Sequence, residues 1–222
     1  MTRYEMTEHY WNSIFEEVDV IESIEPIKYV EIENGIQWLV HDSNSILDFG
    51  CGSGNALLRA VSLGLKMGIG IDLSCKAIEL AKKNAIHYDV QDKVEFKCGG
   101  VDLLREIIPA SYDGAILFNI IDNMYPTDAM EVIKYLHKML KSRGRVLMKL
   151  NPHYPESHFS QNHFYRKIMD HFYLESSGVY FWNLSYEEVE EFLNPYFIIE
   201  DYQVINIEDH GVNNRLFFLR AM

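Results

Sequence analysis

The sequence predicts an α/β fold, a mostly parallel sheet covered by helices, and three observations carry that prediction. Short runs rich in Ile, Val, Leu and Phe alternate with helix-period segments through most of the 222 residues, the pattern of strands joined by crossover helices. A glycine-rich turn, "GCGSG" at 50–54, follows the first run and opens a helical stretch. No repeat, low-complexity tract or Pro/Gly/Ser-rich linker divides the chain, so a single domain over 1–222 is expected.

Upstream of the first strand, "EHYWNSIFEEV" (8–18) and "EPIKYVEIENGIQWLV" (25–40) read as added helices, with Pro26 suited to a first turn. They make 1–44 a helical cap. "SILDFG" (45–50), "MGIGIDL" (67–73), "KVEFKCG" (93–99), "YDGAILFN" (112–119) and "GRVLMKL" (144–150) read as strands. Ser74 is the expected N-cap of "KAIELAKKNAIHY", and Asp128 with Glu131 predicts a capping box after Pro126. In that second helix Ala129, Val132, Ile133, Leu136 and Leu140 share one face, and "KSRG" closes it. The core thus spans 45–150. Residues 151–184 form a long connection dense in aromatics and histidines, and connections of that length are more often functional than idle. In 185–222, "SYEEVEEFLN" (185–194) reads as a helix whose acidic run is a solvated face. "YFIIEDYQVINI" (196–207) and "NRLFFLRAM" (214–222) read as a closing hairpin turned at "EDHGVN".

Composition narrows the partners. No stretch approaches the roughly 20 apolar residues that span a bilayer, and the N-terminus lacks an apolar signal core, so a cytoplasmic protein without membrane contact is expected. Cys51, Cys75 and Cys98 show no paired spacing, which predicts reduced thiols. The formal charge of −13 opposes nucleic-acid binding, because that affinity rests on Lys and Arg neutralising phosphates. A small or cationic acceptor fits it better.

The glycine turn admits three ligand readings. A P-loop needs Lys-Ser or Lys-Thr after its last glycine, whereas Gly54 is followed by "NALL". A dinucleotide loop wants glycine at 50, 52 and 55, and residue 55 is Asn. Asp48 at the strand end also repels a pyrophosphate near the helix N-terminus. A ligand with an ammonium and no phosphate is favoured by that carboxylate, and S-adenosylmethionine is such a ligand. Asp72, ending the next strand, is placed to accept from vicinal ribose hydroxyls.

With strand, loop, helix, strand and acid in this order, "DFGCGSG" resembles motif I of the class I S-adenosylmethionine-dependent methyltransferases. The resemblance covers about 45–150 and extends to the closing hairpin. It implies a Rossmann-like seven-stranded sheet of order 3-2-1-4-5-7-6 with strand 7 antiparallel. It further implies a cofactor site in which Asp48 serves the methionine ammonium directly or through water and Gly50 and Gly52 line the backbone contact, with Cys51 and Gly54 also in the cofactor loop. Asp72 would hold the ribose, and Leu73, Gly100, Val101, Asp102 and Asn119 would complete the site. Two departures are visible. Gly100 stands where the family commonly has an acid, which here comes at Asp102, and "LFNIIDNMY" after strand four contains no His.

The activity implied is methyl transfer to a small-molecule acceptor, with a catalytically silent binding protein of the same fold as the alternative. An NAD-dependent enzyme is a third reading. Candidate bases are Asp122, Tyr125, His9 and His153, and candidate acceptor contacts are Tyr10, Trp11, Asn123, Tyr154 and Trp182. Tyr10, Trp11, Tyr154, Phe159, Phe164, Tyr165, Phe181 and Trp182 together read as a cover that excludes water. "NPHY" (151–154) follows the fifth strand and reads as a proline turn. His153, His158 and His163 recur every five residues, a spacing that does not put imidazoles on one helix face, so no metal is expected.

Overall fold

The structure, a computed structural model, describes residues 3–20, 24–207 and 211–222. Part of the turn expected at "EDHGVN", residues 208–210, lies outside the described residues. Two helices, α1 (Glu5–Glu16) and α2 (Val30–Val40), precede the sheet. Strands β1 (Ser45–Phe49), β2 (Met67–Asp72), β3 (Val94–Cys98), β4 (Tyr112–Phe118) and β5 (Leu140–Leu150) pair in parallel. Helices α3 (Asn55–Ser62), α4 (Cys75–His87), α5 (Val101–Arg105) and α6 (Pro126–Met139) connect them.

The connection after β5 is folded. It holds α7 (Glu156–Ser160) and a small antiparallel sheet of β6 (Tyr165–Met169), β7 (Phe172–Glu175) and β8 (Tyr180–Trp182). Then come α8 (Tyr186–Leu193), β9 (Phe197–Ile207) and β10 (Val212–Ala221). The main sheet has order β3-β2-β1-β4-β5-β10-β9, with β10 antiparallel to both neighbours. That is the 3-2-1-4-5-7-6 order the resemblance implies.

Both faces of the sheet are covered, which is why β1 is buried along four of its five residues rather than alternating. One core packs Leu47, Ile69, Val146 and Phe217 against α6 and α8, and the other packs Ile46, Ile116 and Leu147 against α2, α3 and α4. Glu33 of α2 and Arg59 of α3 form a buried ion pair, and the guanidinium holds the Glu33 carboxyl down to about 2. A third, separate core belongs to the small sheet, where Phe159, Tyr173 and Phe181 pack together.

Several expectations change. Ser74 does cap α4, accepting from the Ala77 N–H at 3.1 Å. Asp128 forms no capping box, because its carboxylate is taken by Arg3 and the Tyr4 hydroxyl at 3.0 and 2.7 Å, and Tyr125 stands at the N-cap. Leu140 already belongs to β5, so "KSRG" lies within the strand segment, at a register irregularity where Arg143 has φ 61. Pro26 precedes α2 instead of opening it. Cys75 and Cys98 are disulfide-bonded, their Cα atoms 5.0 Å apart. Their 23-residue separation carried no pairing signal, because adjacency comes from the neighbouring ends of β2 and β3.

Candidate active site

The strand order reverses between β1 and β4, and open α/β sheets hold ligands at the carboxyl ends of strands at such a point. A cavity of about 720 Å³ lies there, within the range of small-molecule sites. Its floor is the loop after β1. Gly50, Gly52 and Gly54 have φ of 79, 52 and 83, so the loop needs three left-handed residues in alternation. Gly50 and Gly52 line the cavity, and a Cβ on Gly50 would come within 3.0 Å of Ile120. Gly54 faces inward against Phe96 as the N-cap of α3.

Two carboxylates underlie this floor. Asp72 lines the cavity, and its oxygens accept from the Gly52 and Ser74 N–H groups, each at 2.8 Å. Those bonds fix the loop against the β2 end and use two of the roughly four acceptor positions of a carboxylate, leaving the others for a ligand. Burial raises its pKa while the two N–H bonds oppose the rise. Asp48 is 2% exposed, and its Oδ2 has no hydrogen-bond partner among the described residues. Burial, with repulsion from Asp72 second, pushes its carboxyl up to about 8. An orphaned buried acid beneath a glycine cradle fits a ligand that brings positive charge. Cys51 lies beside it, buried, its thiol pushed up by burial and by both acids.

The opposite wall is built from α1 and the small sheet. Tyr4, Thr7, Trp11 and Phe15 reach the cavity from one face of the first helix and its cap, joined there by Tyr10. Thr7 donates to the Gly178 carbonyl at 2.7 Å, and Asn12 accepts from Ser74 Oγ at 2.8 Å, so α1 is tied to both sides. Tyr154, Tyr165, Glu175 and Phe181 line the cavity from beyond β5.

An asparagine relay joins floor and wall. Asn119, at φ 53, donates to Asn151 at 2.7 Å, Asn151 donates to Asn123 at 3.0 Å, and Asn123 donates to the Tyr180 carbonyl at 3.0 Å. The left-handed turn at Asn119 is one that Asn tolerates better than most residues. Lys149 also lines the cavity, its ammonium 5.2 Å over the Phe118 ring and its pKa lowered by burial.

The expected cofactor residues Gly50, Gly52, Asp72, Leu73, Gly100, Val101 and Asn119 converge on this cavity, as do Tyr10, Trp11, Asn123 and Tyr154 on the acceptor side. Others do not. Asp102 is exposed and pairs with Arg105 at 2.8 Å, away from the lining. Trp182 points to the other side of β8 from Phe181, as alternation requires, and packs on Phe192.

None of the four candidate bases lines the cavity. Asp122 is 1% exposed and accepts from the Asn151 backbone N–H at 2.6 Å; burial pushes its carboxyl up to about 6. It positions the relay and has no reach to a ligand. Tyr125 is covered by Arg3, 4.0 Å above its ring. His9 falls off the cavity face of α1, and His153 is exposed, its pKa lowered by burial and by Arg215. Glu175, Lys149 and Asn151 were missed as cavity residues. The one trace of Glu175 is the alternation in "FYLE", which sets it on the face of Tyr173.

Fold, switch-point cavity and glycine cradle define a class of nucleoside-ligand α/β domains. Within it, the chain belongs to the methyltransferase domain family, which matches residues 40–202. A ribosomal protein L11 methyltransferase of Shewanella halifaxensis is 38% identical over 82 residues, 34% of this chain and 28% of that protein. The tRNA N(3)-methylcytidine methyltransferase trm140 of Schizosaccharomyces pombe is 26% identical over 183 residues, 79% of this chain and 56% of that protein. The chain therefore spans between about a quarter and just over half of the length of these curated relatives. The crystal structure of a Burkholderia thailandensis 1,6-didemethyltoxoflavin-N1-methyltransferase, bound to its acceptor and S-adenosylhomocysteine, superposes with a TM-score of 0.68 at 16% identity. That match covers 99% of this chain and 87% of the other and shows the fold they share. Among the described residues, no helix is long and apolar enough to cross a membrane.

Proposed function

We propose that this chain is an S-adenosylmethionine-dependent methyltransferase acting on a small-molecule acceptor. The observation that carries the reading is the continuity of one cavity from the Gly50–Gly52 floor and Asp72 to the aromatic wall of Tyr10, Trp11 and Tyr154. Both substrates of such a transfer fit in a space of that kind, with donor and acceptor side by side.

When bound, S-adenosylmethionine supplies a methyl carbon activated by its sulfonium; the acceptor lone pair forms the new bond and the C–S pair stays on sulfur. The chain's part is placement. Asp72 and the glycine cradle would hold the nucleoside, and Asp48 would answer the ammonium directly or through water. The relay Asn119–Asn151–Asn123 ties the wall to that floor, and orientation of two reactants can contribute roughly 7–11 kcal/mol to a transfer. The aromatic wall and α1 exclude water. The net charge of −13 and a cavity of small-molecule size support a small acceptor over the RNA and ribosomal protein named for the relatives.

A binding-only reading draws on a specific observation, the absence of all four candidate bases from the cavity lining. Calorimetry and labelled-methyl transfer to metabolite pools separate the two. Wild type is expected to bind S-adenosylhomocysteine at micromolar concentration and to label a small metabolite, and Asp72→Ala to weaken binding at least a hundredfold. No binding by wild type overturns the cofactor assignment; binding without label on any pool favours the silent protein, and label on RNA alone overturns the small acceptor.

A further inference from the structure

The acid that the cofactor reading leaves unused is Glu175. It ends β7 on the wall opposite the glycine loop and lines the cavity. One of its oxygens accepts from Ser177 Oγ at 3.0 Å. Among the described residues no Lys, Arg or His pairs with it. The one cationic side chain of the cavity lining, Lys149, is engaged against Phe118 and feels Asp122. Burial raises the pKa of this half-buried acid, with the Ser177 bond opposing the rise, so its ionised form gains from a cation that the described residues do not supply.

The surroundings define that something. Antiparallel pairing sets Glu175 directly across from Tyr165, and Tyr173 across from Phe181, so these side chains share one face of the small sheet. Ring centroids of Tyr154 and Tyr165 lie 6.0 and 5.9 Å from that of Phe181. Burial first, and then the nearby charge of Glu175, pushes the Tyr165 phenol up to about 12 and raises that of Tyr154. Both phenols therefore stay neutral, and their ring faces keep the electron density that attracts a cation. Three rings and one carboxylate make a wall that rewards positive charge and penalises negative charge. A neutral hydroxyl could fill the space but would leave the carboxylate uncompensated.

We propose that Glu175 with Tyr154, Tyr165 and Phe181 forms the acceptor subsite and that it anchors a small molecule by its protonated amine, the methyl going to a different atom of that molecule that carries a free lone pair. This rests on the methyltransferase reading for its placement beside a methyl donor, but it concerns only what the second half of the cavity recognises.

The test uses the full chain saturated with S-adenosylhomocysteine and calorimetric titration with matched probes of equal shape. Suitable sets are phenethylamine, 2-phenylethanol and 3-phenylpropionate, with butylamine, butanol and butyrate as an alkyl set. At least one amine is expected to bind ten times or more tightly than its alcohol, and the acids not at all. Glu175→Gln should abolish the amine preference while S-adenosylhomocysteine affinity stays within twofold. Ser177→Ala, which leaves the carboxylate in place, should keep the preference. Amines that bind no better than alcohols, or a preference that survives Glu175→Gln, overturn the subsite. Loss of S-adenosylhomocysteine binding by wild type instead overturns the cofactor reading, so the two failures are distinguishable.

Discussion

The two halves of the cavity are made in different ways. The cofactor half uses backbone: three left-handed glycines and the N–H groups of Gly52 and Ser74 bonded to Asp72. The opposite half uses side chains, with α1 and the small sheet contributing rings and one acid. Backbone recognition tolerates little variation and suits a ligand common to many enzymes, while a wall of side chains can be exchanged residue by residue to suit a particular acceptor.

The difference predicts that damage can be confined to one half. Phe159 stacks on Tyr173 at 3.9 Å in the separate core of the small sheet. Phe159→Ala should cost that core about 3–5 kcal/mol. Proteolysis within 151–184 should accelerate and methyl transfer should collapse, with S-adenosylhomocysteine affinity by calorimetry unchanged. Loss of cofactor binding as well would mean that the halves fold as one unit.

A smaller effect sits on the other side. The Asp48 carboxyl lies at about 8 in the folded chain and at 3.8 ordinarily, so the folded state holds an extra proton between those values and stability falls as pH rises through that window. Asp48→Asn should remove that slope. Thermal denaturation of the ligand-free protein should show the variant more stable at pH 8, with the advantage shrinking toward pH 4, while its S-adenosylhomocysteine affinity drops about tenfold. A wild type whose stability rises across that window would contradict the buried, unpaired acid. The smallest effect is expected at Asp102, exposed and, among the described residues, paired only with Arg105. Asp102→Ala should leave cofactor affinity within twofold.

The same contrast explains what could be read in advance. The sheet order came with the family resemblance, and the convergence of Gly50, Gly52 and Asp72 on one cavity was legible because a tight turn admits glycine and a strand-end acid recurs one crossover later. Asp48, Asp72 and Asp102 look alike as letters, and only packing separates an orphaned acid, a loop clasp and a surface ion pair. Asp128 has the spacing of a capping box, yet Arg3 and Tyr4 from more than 120 residues away claim it. Glu175 and the Cys75–Cys98 bond were hidden for one reason: their meaning lies in a neighbour supplied by strand pairing.

Helix α1 roofs both halves but is held lightly. Thr7 is its one buried residue, it has no side-chain cap, and its own polar clasps are one hydrogen bond through Thr7 and two through Asn12, each contributing about 1 kcal/mol net. An element so attached opens at far lower cost than the sheet deforms. The proposed function would thereby place admission and retention in different parts of the chain. On the proposed reading, the nucleoside would pass this helix to enter or leave, while the cradle that orients it is held by the sheet.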